Sequence, residues 1–267
     1  MNHIILQFFV DLDMKKYLLT FLFLCFWSCE ENSISEVNKN TFHDDIGDIS
    51  FLNGSVFTTN YDLSGNSGQQ IDLLKLELSE ETSLLDDKFE LDINGQGYLT
   101  MTNDGTNLFL QSRSTQLIFQ TSQIGEVGFF KYDDSLSTNW LPSGISYDSS
   151  SDSLIFLYRN QMVDNSYLLK LTSKTISGNT TRSEVFELNN IDTVLHGVYA
   201  MEYADPNLYL LAVNDNQEDV LITLDYESLS LQSTEVISDS TVVGLSVFEN
   251  SIYFGYRDRR VQKYKDI

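Results

Sequence analysis

An all-β fold class follows from three observations on the sequence. Beyond residue 28 no stretch sustains the spacing of an amphipathic helix. Short runs rich in β-branched and aromatic residues recur instead, separated by Asn, Asp, Ser and Gly, which is the composition of strands and turns. The third observation is a repeat. Gly47, Gly97, Gly144, Gly197 and Gly244 stand 50, 47, 53 and 47 residues apart, and the texts they open are alike: GDISF, GYLTM, GISYD, GVYAM and GLSVF.

Each element of the repeat can be read in turn. A second strand-like run follows every glycine: SVFTT, NLFLQ, SLIFLY, NLYLLAV and SIYFGY. A third comes after it, as IDLLKLEL, QLIFQ, YLLKL, VLITLD and VQKY. A fourth and more polar run closes four of the repeats: KFELDI, EVGFFKY, EVFEL and STEVI. Four antiparallel strands about every fifty residues make one blade of a β-propeller. An irregular β-sandwich would also supply strands and turns, but without the same internal order from one repeat to the next. The expected architecture is therefore one five-bladed β-propeller over residues 37–267, of roughly 50-residue four-stranded repeats starting near 47, 97, 144, 197 and 244.

The fifth repeat has room for three strands only. Propellers avoid open strand edges by closing on themselves, so the ring is expected to borrow an N-terminal strand. The candidate is Val37 to His43, paired with the strand around Val261 to Tyr264, and this pairing is expected to be the only contact joining the two chain ends.

The N-terminal region has a different character. Lys15 and Lys16 precede an apolar run of eleven residues from Tyr17 to Trp27, then Ser28 and Cys29. The run is shorter than the roughly twenty residues a membrane-spanning helix needs and has the layout of a secretory signal. Residues 1–13 lie ahead of the lysines, so Met14 is the expected initiator, with 1–13 a mis-assigned start, 14–28 the signal peptide and 29–36 a polar tether.

A cysteine after a small residue at the end of such a run resembles the lipobox of bacterial lipoproteins. Phe26 and Trp27 depart from its commonest form. The resemblance implies that Cys29 carries the lipid, since two acyl chains give lasting membrane attachment. Cys29-Glu30-Glu31 also resembles the acidic tract of Bacteroidota-type surface-exported lipoproteins, which makes Glu30 and Glu31 an export label and the outer membrane, lipid-anchored and cell-surface exposed, the expected location.

Charge and cysteine content exclude some functions. The chain has 16 basic against 39 acidic residues, a formal charge of −23. Removing residues 1–28 deletes Asp11, Asp13, Lys15 and Lys16 and leaves that value unchanged. Such a surface repels polynucleotides, so no nucleic-acid partner is expected. Cys25 and Cys29 are the only cysteines, which leaves the propeller without a thiolate for catalysis or metal binding.

In a propeller the first strand of each blade lines the central channel, and the loops entering it form a rim where ligands bind. The binding-rim candidates are Asp45, Gln96, Trp140, Ser143 and His196, with Asp44, Pro142 and Val243 beside them. Tyr98, Tyr147 and Tyr199 are further polar candidates in the channel. Rings and carboxylates around a concave rim suit a glycan or a peptide. Strand tyrosines also pack between blades and loop aspartates also build turns, and most of these residues are expected to do only that.

No metal site or cofactor is expected, because His43 and His196 are the only histidines after Met14 and no acidic turn has the ligand spacing of a calcium loop. The reading is a surface-tethered, non-catalytic binding or scaffold module for a protein or glycan. The alternative is a five-bladed glycoside hydrolase using the inner-strand carboxylates Asp48, Asp148 and Glu202. Four tripeptides, at Asp134, Asp152, Asp192 and Asp239, resemble an Asp-Ser/Thr-apolar acceptor of O-glycosylation.

Overall fold

The structure is a computed structural model. It describes residues 45–61, 70–78, 84–94, 99–112, 118–122, 127–130, 139–160, 168–188, 195–237 and 242–267. All of them belong to the second of two compact units, Asp44–Ile267; the first, Met1–His43, falls outside them.

Among the described residues nineteen strands form five antiparallel sheets, each built from consecutive strands. The first sheet holds β1 (Asp45–Leu52), β2 (Ser55–Tyr61), β3 (Gln70–Glu77) and β4 (Leu84–Asn94). The second holds β5 (Leu99–Asn103), β6 (Leu108–Ser112), β7 (Ile118–Thr121) and β8 (Val127–Phe130). The third contains β9 (Trp140–Asp148), β10 (Ser153–Asn160), β11 (Leu168–Thr175) and β12 (Thr180–Glu187). The fourth contains β13 (Leu195–Ala204), β14 (Asn207–Asn214), β15 (Asp219–Asp225) and β16 (Leu231–Ile237). The fifth contains β17 (Val242–Phe248), β18 (Ser251–Tyr256) and β19 (Val261–Asp266). Every strand run read from the repeat is present, in the expected order.

The five sheets are the blades of a propeller. The first strand of each blade packs against the first strand of the next, in the order β1, β5, β9, β13, β17 and back to β1. Hydrogen bonds and a ring stack between blades fix the relative direction of several of these strands. Asp48 meets Met101 and Leu245, while further along Ser50 meets Asn103 and Phe51 meets Phe248. Thus β1, β5 and β17 run in one sense, and their starts share one rim.

Burial follows position in the blade. Residues 153–158 of β10 are buried without alternation, because this second strand is covered by a neighbouring blade on each face, whereas the outer β12 is exposed along most of its length. Outer strands β4 and β12 carry Asp86, Asp87, Lys88, Arg182 and Glu184, charges that discourage pairing with another chain at an edge.

The fifth sheet has three strands among the described residues. The expected closing strand, Val37 to His43, lies outside them, as do the signal, Cys29, Glu30 and Glu31. One expectation is corrected: strand pairing is not the only contact that spans the chain. β1 of the first blade packs directly on β17 and β18 of the fifth. There the Leu245 N–H donates to Asp48 Oδ1 at 3.0 Å, and Phe51 stacks on Phe248 with ring centroids 4.7 Å apart. The ring is joined by side chains, because a blade buries its flat face on its neighbour whatever pairs with its edge.

Candidate functional site

The repeat glycines mark an irregularity as well as a repeat. In β9 the pairing register slips so that Ser143 is the extra residue between Pro142 and Gly144; in β13 it is His196, before Gly197; in β17 it is Val243, before Gly244. In β1 the slip falls at Gly47–Asp48. An extra residue just inside the start of an inner strand is a β-bulge, a device that re-aims side chains at the rim of closed sheets. Ser143, His196 and Val243, chosen as rim residues because each precedes a repeat glycine, are the bulged residues.

They do not share one environment. His196 is exposed, Val243 is largely buried, and Ser143 is sealed, with its hydroxyl 3.5 Å from the Leu141 carbonyl. Trp140, at the start of β9, packs half-buried against the cluster of Phe109, Ile118, Ile145 and Phe156. Asp45 opens β1, and Gln96 and Tyr98 lie outside the described residues. The tyrosines are committed to neighbours. Tyr199 donates to Asp219 Oδ1 at 2.6 Å, and Asp219 also accepts from the Val242 N–H of the next blade. Tyr147 donates to Asp152, and burial first, then that carboxylate, pushes its hydroxyl up to about 12.

The three inner-strand carboxylates go to three different places. Asp148 is the last residue of β9, where it accepts from the hydroxyls of Ser150 and Ser151 and from the Ser150 N–H; these bonds hold its carboxyl below the ordinary range although burial opposes them. It is a turn-forming aspartate at the opposite end of the inner strands from the bulges. Asp48 is fully buried. Its Oδ1 accepts from the N–H groups of Ile49 and Leu245, both at 3.0 Å, and its Oδ2 from Met101 N–H at 3.1 Å. One carboxylate thereby ties the first blade to the second and to the fifth.

Glu202 sits deeper along the channel. Two residues before the last paired residue of the inner hairpin, three blades place a serine: Ser50, Ser146 and Ser246. The fourth places Glu202 and the second Met101. Glu202 Oε2 accepts from Ser146 Oγ at 3.2 Å, its Oε1 lies 3.5 Å from Val247 N, and Ser246 also bonds the carboxyl. The residue as a whole is partly exposed. Desolvation, and after it the charge of Asp48, pushes this carboxyl up to about 8.

The structure thus places Asp48 and Glu202 within electrostatic reach of each other and sets Asp148 apart at a hairpin turn. Sequence reasoning passed over the serines, although GDISF, GISYD and GLSVF all show them. Among the described residues no three His, Cys, Asp or Glu side chains gather as a metal would require. Of the four acceptor-like tripeptides, Asp152-Ser153-Leu154 is corrected: Ser153 is buried and bonds the Ser151 carbonyl at 3.1 Å, so no sugar can reach it in the folded chain. The Ser/Thr acceptors of the other three lie outside the described residues.

No protein-family model matches the chain, and no curated protein does. Solved structures do match. The chain resembles glutaminyl cyclase from Myxococcus xanthus with a TM-score of 0.54 at 15% identity, over 84% of this chain and 91% of that one. It also matches virginiamycin B lyase from Staphylococcus aureus (TM-score 0.42, 17% identity, 83% of this chain and 66% of that one). A streptogramin B lyase matches at a TM-score of 0.41 and 15% identity, over 82% and 64%. At these identities the likeness is one of fold.

Proposed function

We propose that this protein is a lipid-anchored lipoprotein of the outer membrane, facing the cell surface, whose propeller binds or scaffolds a protein or glycan partner without turning it over. The observation that carries the non-catalytic part is the fate of the candidate carboxylates. A two-carboxylate hydrolase needs both groups open to substrate, one as acid and the other as base or nucleophile. Asp48 is sealed behind three backbone amides, Asp148 is bonded into a turn at the far end of its strand, and Glu202 is engaged by Ser146 and the Val247 amide. The rim formed by the bulged strand starts, with His196 exposed on it, is the surface on which a partner would dock.

Two experiments test the reading. Mature protein on a glycan array, and cross-linked on whole cells, should show saturable binding that survives Glu202→Gln; turnover of a panel of glycosides that disappears in that variant overturns it in favour of the hydrolase. For the anchor, Cys29→Ala should release the protein from membranes while Cys25→Ala does not, and replacing Glu30 and Glu31 with Ala should hide it from protease added to whole cells. Palmitate labelling that persists in Cys29→Ala removes the lipid assignment, and unchanged shaving of the double variant removes the surface assignment.

A further inference from the structure

Given the rim as the docking surface proposed above, we infer that its sector between the third and fourth blades holds a carboxylate-binding site centred on Arg159, whose ligand is an acidic sugar, a saccharide carrying one carboxylate. The site starts from an arginine without a partner. Arg159, near the end of β10, is partly buried, and its guanidinium lies against the inner strand of the next blade: a Cβ added to Gly197 would stand 3.5 Å from Nη1. Among the described residues the Arg159 side chain makes no hydrogen bond, ion pair or ring contact. The carboxylates at this end of the fourth blade are committed elsewhere. Glu218 accepts from Asn214 Nδ2 at 2.8 Å, Asp219 accepts from the Tyr199 hydroxyl and the Val242 N–H, and Asp215 has a partner of its own. A partly buried guanidinium in this position has given up water without gaining an anion. In a chain of 39 acidic residues it is poised for an anion from outside.

The surroundings decide what kind of anion fits. Gly197 brings no side chain, and among the described residues no other atom lies within 4 Å of the point where its Cβ would stand, so there is room beside the guanidinium. The register slip in β13 leaves His196, next to it, exposed and without a ladder partner. One ladder step beyond the Arg159–Leu141 pair, Asn160 pairs with Trp140, and both are partly exposed. The hairpin end therefore presents a guanidinium, an amide and an indole. A planar guanidinium holds a carboxylate through two parallel hydrogen bonds, an amide bonds hydroxyls, and an aromatic ring covers the apolar face of a pyranose. Net charge limits the size of the ligand. A surface of −23 repels polyanions and acid-rich proteins at long range, whereas a sugar with one carboxylate meets that repulsion once and is held by contacts of short range.

The test is titration calorimetry on the mature protein at physiological ionic strength. The probes are oligosaccharides ending in glucuronate or in sialate, the same sugars with the carboxyl reduced to the alcohol, and a short peptide with a free C-terminal carboxylate. The wild type should bind one of the acidic sugars at least about tenfold more tightly than its reduced form, the scale of a charge-assisted hydrogen bond. Arg159→Gln should abolish that difference. Lys170→Gln removes an equal charge from the opposite face of the same blade, since Leu169 is the residue paired with Arg159, and should bind as the wild type does.

A second variant keeps the arginine in place. Gly197→Asp brings a carboxylate beside Nη1 and supplies the missing partner from within, so acidic-sugar binding should fall by about tenfold while the melting temperature holds or rises. Equal binding of acidic and reduced sugars, acidic-sugar binding that ignores both Arg159→Gln and Gly197→Asp, or no binding of either acidic sugar overturns the site. Tighter binding of the peptide than of the sugars also overturns it and puts a protein terminus in the sugar's place. Saturable binding of neutral glycans that ignores both variants removes this site and leaves the rim as a docking surface, whereas glycoside turnover lost in Glu202→Gln removes the docking reading itself.

Discussion

The seam between the fifth and first blades and the seam between the third and fourth are built differently. The first joins segments about two hundred residues apart in sequence with no linker passing directly between them. Its contacts are the buried Asp48–Leu245 bond and the buried Phe51 ring, which stacks on the partly buried Phe248 and meets the partly buried Tyr253 at a centroid distance of 4.6 Å. The second joins neighbours in the chain, and besides its inner contacts it uses an outer staple at the surface. Arg182 of β12 donates to the carbonyls of Tyr226 at 2.7 Å and Glu227 at 2.9 Å. Closing a loop of two hundred residues costs more chain entropy than joining neighbours. The bond and the ring at the centre of the closing seam, Asp48–Leu245 and Phe51, are accordingly buried.

The comparison breaks most visibly at Asp48. Asp48→Ala removes the acceptor from the Leu245 and Met101 amides of two other blades and leaves both buried, at about 1–3 kcal/mol for each unsatisfied group. The expected loss is about 4 kcal/mol, measured as a drop in urea midpoint. Asp48→Asn should recover part of it, because the amide oxygen still accepts. A loss under about 1 kcal/mol in Asp48→Ala would place the strength of that seam elsewhere.

Phe51→Ala ranks next. The ring is 5% exposed and touches two aromatic rings of the fifth blade, and truncating a buried Phe costs about 3–5 kcal/mol where the site cannot collapse. Phe51 lies at the end of the hairpin, so about 3 kcal/mol is expected by thermal melting, with Phe51→Leu about half as damaging. Gly244→Ala follows at about 2 kcal/mol, in the range of overpacking costs. Its added Cβ would stand 2.7 Å from the Ile49 nitrogen and 2.9 Å from Asp48 Cα, and backbone cannot step aside as a side chain can. Gly144→Ala is the matched change at the other seam, where the obstacle is Met201 Cβ at 2.5 Å. Gly197→Ala, whose nearest neighbour is the end of Arg159 at 3.5 Å, should be nearly silent.

That contrast shows what the sequence could convey. The strands were legible because each is a short β-branched run bounded by turn residues, and the order of the blades because the runs recur. The glycines looked equivalent in the repeat, yet the packing of one blade on the next separates Gly144 and Gly244, which face a neighbour's backbone or Cβ, from Gly197, which does not. The carboxylates divided in the same way. Asp148 was legible as out of phase with Asp48 from its distance to the repeat glycine. That Asp48 would be spent on Leu245 and Met101 was not legible, because a bulge decides where its side chain points and the partners are amides from distant repeats. The rim suffered most, since a residue's place before a glycine predicts a bulge and not whether the residue is sealed, as Ser143 is, or exposed, as His196 is.

The smallest effect belongs to the outer staple and sharpens the comparison. The Arg182 guanidinium also lies 4.7 Å from the Tyr226 ring centroid and bonds Glu184 at 2.9 Å, so its loss removes packing as well as hydrogen bonds. Its partner Glu184 is about half exposed, and an ion pair in that setting contributes little. The two carbonyls and the ring face carry the staple. Arg182→Ala should therefore cost about 1 kcal/mol, in line with partly exposed hydrogen bonds of this kind, and Arg182→Lys should recover little of it, because an ammonium cannot span both carbonyls as the planar fork does. Glu184→Ala should change the melting temperature hardly at all. Raising salt from low to high should leave the wild-type minus Arg182→Ala difference almost unchanged, since neutral carbonyls are not screened as carboxylates are. If instead the difference shrinks with salt, or Glu184→Ala matches Arg182→Ala, the staple is an ordinary surface ion pair, and the seam between the third and fourth blades rests on its inner contacts alone.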